Sequence, residues 1–175
     1  MEKRGLEAAL TSAQITQTSQ WVHSDEMRFG LWGQVRRRWG LRGVKIVQPI
    51  QIVFAWRYLI LAVDVRRGKL LWDWADRMNQ TQLMPIFERW AFDAVVWDGA
   101  SSHRGRAMGT LPFERVFLPA YSPELNPAER VFEEIRREIE GKVYPSLHAK
   151  QYAIHQFLHR LQADKARLDQ LIGWE

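Results

Sequence analysis

The sequence predicts an α/β domain in which a mixed β-sheet is covered by helices. Three observations carry that expectation. Strand-like segments come first, followed by a helix, two short strands and a run of helices. Residues 93–97 form a nearly continuous apolar run ending in Asp98, as a strand buried on both faces reads. Residues 79–92 and the segment after Asn126 instead space their apolar side chains at helical intervals.

In order along the chain, residues 2–13 predict a short helix and "TSAQITQTSQ" a polar linker. Residues 1–20 are thus an N-terminal helix and linker, and residues 21–175 one domain. "WVHSDEMRF" alternates as a strand does. Trp21, His23, Asp25, Met27 and Phe29 share one face, which puts Asp25 on the more apolar side. "VRRRWGLRGVK" is a basic connection, and "VQPIQIVFAW", "RYLILAVDV" and "KLLWDWA" read as strands. "NQTQLMPIFERWAF" predicts a helix burying Leu83, Ile86, Phe87 and Trp90, with Thr81 as its cap and Pro85 close to its first turn. "ERVFLP" is a further strand. The helix after Asn126 carries an apolar stripe of Phe132, Ile135 and Ile139. A last helical region from Ser146 buries Tyr152, Phe157, Leu158 and Leu161, and "ADKARLDQLIG" adds a final turn or helix.

Composition narrows the function classes. The chain has 175 residues, a net charge of +5 and a pI near 9.8, which favours a polyanionic partner. With no cysteine, disulfides and thiolate zinc sites are excluded. No apolar run suits a signal peptide or a membrane span, so an intracellular protein is the expectation.

Three acids stand out. Asn126-Pro127-Ala128-Glu129 fits a helix start, with Asn at the N-cap, Pro at N1 and Glu at N3. A capping-box glutamate accounts for Glu129 taken alone, a strand-ending turn for Asp98, and a misassigned face for Asp25. Together they suit a divalent-metal site. Three carboxylates within about 4 Å would repel by about 4 kcal/mol per pair at an effective dielectric of 20. Mg²⁺ or Mn²⁺ removes that conflict, because both prefer oxygen ligands.

Four segments resemble the DDE transposases of the mariner-like superfamily, especially its bacterial insertion-sequence branch. "SDEMRFGL" is similar to the first acidic motif, with Asp25 in the catalytic place, and "WRYLILAVDVRRGKLLW" to the central hairpin. "VVWDGASSH" resembles the second motif, carrying Asp98 and then His103. "LPAYSPELNPAE" resembles the third and puts its acid at Glu129. The resemblance covers roughly residues 20–173. It implies a ribonuclease-H-like fold of five strands, the first three antiparallel, with the first and fourth adjacent.

The resemblance also implies a mechanism. Asp25, Asp98 and Glu129 are the expected catalytic and metal-holding residues, with Mg²⁺ or Mn²⁺, as two ions, the cofactor. The expected reaction is hydrolysis of DNA at element ends and joining to a target, commonly a TA dinucleotide in this superfamily. Arg36, Arg37, Arg38, Arg104 and Arg106 are candidate DNA contacts. His103 touches a phosphate, stands behind the metal ligands, or is a solvent-facing loop histidine. Glu133 and Glu134 are read as a solvated face. An oligomeric active form and a DNA-associated, bacterial cytoplasmic location are expected. The family places helix-turn-helix modules before this domain, so a fragment, a truncated gene or the second frame of a frameshifted element is expected here. The rivals are an inactive remnant that binds DNA or protein, and a junction resolvase, which "SPELNPAE" disfavours.

Overall fold

A computed structural model of the chain describes residues 2–16, 18–33, 39–98, 103, 107–119 and 122–173. The alternation in the first strand sets the architecture. β1 (Trp21–Gly30) turns Met27 and Phe29 to one side and Val22 to the other. β2 (Trp56–Asp64) divides likewise, with Leu59, Leu61 and Val63 opposite Ile60 and Ala62. β3 (Lys69–Ala75), β4 (Ala94–Trp97) and β5 (Glu114–Phe117) complete a five-stranded sheet in the order β3-β2-β1-β4-β5. β1, β2 and β3 are antiparallel, whereas β4 runs parallel to both β1 and β5. This mixed, helix-flanked sheet is ribonuclease-H-like, as the resemblance implied.

Helices cover both faces. α3 (Pro127–Ile139), α4 (Leu147–Ala163) and α5 (Lys165–Ile172) pack Phe132, Ile135, Ile154, Leu158 and Leu168 against the Met27 face. α2 (Gln80–Arg89) sets Leu83, Ile86 and Phe87 on the Val22 face, and α1 (Glu2–Ser12) adds Leu6 to a smaller cluster with Val96 and Val116. Each such large apolar side chain contributes roughly 1.5–3 kcal/mol on burial. That suffices to seat α3, whose other positions are mostly charged.

Four local expectations change. α2 is capped by Asn79, whose side chain accepts the Gln82 N–H, rather than by Thr81. A cap needs extended backbone, and Asn79 has it (φ −142°, ψ 161°). Pro85 lies within α2, beyond the first turn. Tyr152 is exposed, because the buried stripe of α4 runs through Lys150, Ile154, Phe157, Leu158 and Leu161. Glu134 is largely covered and joins Arg167 of α5 at 2.7 Å, so it ties two helices rather than facing water.

A fifth change is the largest. Residues 47–55 form no strand, although their β-branched residues predicted one. Leu31 N–H donates to Ala55 O (2.9 Å) and Gly33 N–H to Gln51 O (2.7 Å). Two steps on one side therefore oppose four on the other, and a regular ladder cannot survive that mismatch. Pro49 has no N–H to offer. Gln51 instead brackets Tyr144, donating to its carbonyl (3.0 Å) and accepting its N–H (3.3 Å). Val47, Ile52 and Phe54 stay in solvent.

Candidate active site

β1 and β4 bring two of the acids level. Their parallel register pairs Val22 with Val95 and His23 with Val96. Continued two residues further, it sets Asp25 beside Asp98, just past the end of β4. Asp25 shares the Met27 face, under the helices, where alternation predicted it.

The third acid arrives with α3. Asn126 caps that helix by accepting the Ala128 N–H at Oδ1 (3.1 Å), and Pro127 occupies its first turn. The same side chain reaches across to β1. Its Nδ2 donates to Asp25 Oδ2 (3.1 Å) and more weakly to Ser24 O (3.4 Å). Glu129 follows in the first turn, where a carboxylate also favours the helix dipole. Its carboxylate lies 3.7 Å from Arg136, one of the two acids that guanidinium approaches. The capping-box bond to the Asn126 N–H is not among the hydrogen bonds of the described residues.

Electrostatics follow from this placement. Burial, then the charge of Glu26, and then those of Glu129 and Asp98 push the Asp25 carboxyl up to about 7, against the Glu26 N–H that favours its ionised form. His23, buried two residues earlier, is lowered to about 3 by the same loss of water. The oxygens of Asp25, Asp98 and Glu129 suit a hard divalent cation, and one would relieve the strain on Asp25. Among the described residues, no three His, Cys, Asp or Glu side chains are yet arranged to hold an ion. Glu129 lies 3.7 Å from Arg136.

His103 is wholly buried. Its ring stacks on Trp97 (4.7 Å between centroids, 11° between planes). Nδ1 lies 2.9 Å from Asp98 Oδ1, and Nε2 lies 3.0 and 3.1 Å from the two oxygens of Glu26. Ionised carboxylates only accept hydrogen bonds, so a ring protonated on both nitrogens satisfies both. Burial alone would lower its pKa, but the bond and charge of Glu26, followed by Asp98, raise it above the ordinary histidine value. Arg36, Arg37, Arg38, Arg104 and Arg106 lie outside the described residues. Residue-level reading missed Glu26, Trp97 and the bond from Asn126 to Asp25. The signals were present as an Asp-Glu pair on one strand and an aromatic residue just before Asp98.

Comparison with known proteins adds a family. The family profile described as DDE superfamily endonuclease matches residues 20–149. No curated protein sequence matches the chain significantly. Among solved structures, the Mos1 mariner paired end complex with Mn superposes with a TM-score of 0.70 at 17% identity, covering 98% of this chain and 57% of that one. The Mos1 strand transfer complex gives 0.66 at 18% identity, covering 98% and 56%. The catalytic domain of Mos1 mariner transposase gives 0.58 at 18%, covering 98% and 84%. At such identities these likenesses establish the fold. The chain spans somewhat more than half the length of the transposase chains in the two complexes.

Proposed function

Since this chain belongs to the DDE superfamily of endonucleases, we propose that it is the catalytic domain of a DNA transposase, similar to the bacterial insertion-sequence branch of the mariner-like group. It cuts DNA at the ends of a mobile element and joins them to target DNA by metal-dependent phosphoryl transfer. Asp25, Asp98 and Glu129 are its catalytic carboxylates and would hold Mg²⁺ or Mn²⁺, as two ions. The observation that carries this reading is the bond from Asn126 to Asp25, because it ties the start of the Glu129 helix to the strand beside Asp98.

Bound there, the cations would activate the attacking hydroxyl group and stabilise the leaving oxygen. The chain's own residues do the holding. Asn126 keeps one oxygen of Asp25 engaged, which limits the rotation of that carboxyl group. Pro127 fixes its φ and so restricts the turn that delivers Glu129. Arg136 balances the charge of Glu129. The basic net charge would favour approach of the DNA backbone. DNA partners, an oligomeric active form and a helix-turn-helix segment elsewhere belong to the same reading. Among the described residues no helix is long and apolar enough to cross a membrane.

The test is Mn²⁺- or Mg²⁺-dependent nicking of DNA carrying the element's terminal repeats, followed by strand transfer. Asp98→Asn protein should lose both steps while remaining folded. Equal activity in that variant would remove Asp98 from the mechanism.

A further inference from the structure

β1 carries two acids in succession, and the pleat sends them to opposite sides of the sheet. Asp25 pairs with Leu61 and Glu26 with Ile60, residues that belong to the two different core clusters. Glu26 therefore points away from Asp25, yet its side chain is only 8% exposed. A buried carboxylate is costly unless it is paired and hydrogen-bonded. The partner of Glu26 is His103, and the far side of that ring meets Asp98.

We propose that Glu26 is a positioning residue which, through His103, fixes the carboxylate of Asp98 in the orientation needed to hold the cation. This rests on the reading of Asp98 as a metal ligand. Three surfaces fix the imidazole. Trp97 supports its face, Glu26 spans Nε2 with both oxygens, and Asp98 receives Nδ1. A ring so confined has one orientation, and that orientation aims an N–H at a side chain which is itself 53% exposed. The contact with His103 restricts that carboxylate about its terminal torsion. β1 then serves the site from both faces, directly through Asp25 and, by way of His103, through Glu26. Partners of this kind, placed behind ligating groups, typically alter metal affinity by 10- to 100-fold when removed.

Two measurements test this on the whole chain. The first needs no metal: imidazole ¹H–¹⁵N spectra of the ¹⁵N-labelled protein, with the His103 signals assigned by their loss in His103→Asn. The chain should show a slowly exchanging proton on Nδ1, and Glu26→Ala should abolish that protection. Glu26→Gln, which retains an oxygen acceptor, should preserve part of it and also guards against a misfolded alanine variant. An unchanged Nδ1 proton in Glu26→Ala protein, with native circular dichroism, would overturn the proposal. The second measurement is calorimetric titration with Mn²⁺. Glu26→Ala should weaken binding by about 10-fold or more, and should add less than about twofold in a His103→Asn background. Losses that multiply independently would also overturn it. If the chain takes up no Mn²⁺, or Asp98→Asn takes up as much, the metal reading fails instead, and the metal-free spectra still decide the role of Glu26.

Discussion

Asn126 donates from Nδ2 to Asp25 Oδ2 across 3.1 Å while its Oδ1 accepts the Ala128 N–H, so one amide joins a helix start to an acid on the central strand. Replacing it separates two effects. Asn126→Ser should keep a capping oxygen and lose the reach to Asp25, changing stability by less than about 1 kcal/mol. Asn126→Asp should cap as well, but it adds a negative charge beside Asp25 and should raise that carboxyl's pKa further. Chemical denaturation and carboxyl NMR titration would measure both.

Asp25→Asn, Asp98→Asn and Glu129→Gln should each remove metal-dependent cleavage, and each should lower Mn²⁺ uptake in calorimetry. Asp25→Asn should melt at or above the temperature of the unsubstituted chain without metal, because it removes one of several like charges, whereas Asp98→Asn and Glu129→Gln also lose the charge that faces His103 or Arg136. A large loss of stability in Asp25→Asn would mean that this carboxylate serves the fold.

The raised pKa of Asp25 makes a pH prediction with a definite sign. Between about 4 and about 7 the folded state holds a proton that the unfolded chain releases, so this group's contribution falls as pH rises through that window. His23 opposes it. Its lowered pKa means the unfolded chain binds the extra proton between about 3 and 6.5, so its contribution rises with pH there. Comparison with Asp25→Asn isolates the first term. Relative to that variant, the unsubstituted chain should lose stability from pH 4 to 7, by at most roughly 4 kcal/mol. Added Mn²⁺ should flatten the upper part of the difference.

The local backbone offers two further tests. At Gly30, where β1 ends, an added Cβ would lie 2.5 Å from Ala55 O. Gly30→Ala should therefore destabilise by about 1–3 kcal/mol in denaturant titration. The backbone there is also the anchor for Lys150, whose Nζ donates to Gly30 O at 2.6 Å.

Pro85 lies inside α2 with its side chain exposed, and it can donate no helix bond. Pro85→Ala should raise stability by about 1–3 kcal/mol, less any ordering benefit the proline gives the unfolded chain. A thermal scan of the two proteins would decide.

Much of what depends on neighbours in sequence was legible. The pleat put Asp25 on the Met27 face, and capping chemistry located the start of α3 at Asn126. The short apolar run before Asp98 announced β4. What depends on pairing at a distance was not. Glu26 and His103 are 77 positions apart, and nothing local to either names the other. Val47, Ile52 and Phe54 have strand-forming side chains, but a strand also needs a matching edge, and the count opposite residues 31–33 denies them one. Thr81 and Asn79 are both good caps by type, and backbone conformation chose between them.

The stretch that leaves the sheet after Gly30 has a practical consequence. Trp39 is as accessible as a free side chain, and Leu41, Val47 and Phe54 are more than 70% exposed. Sulfate and other excluded salts strengthen the tendency of such groups to leave water, whereas chaotropes weaken it. Purification by ammonium sulfate should bring this protein down early, despite a charge that would otherwise keep it dispersed. Removing the indole of Trp39 should shift that precipitation point upward without touching the folded core.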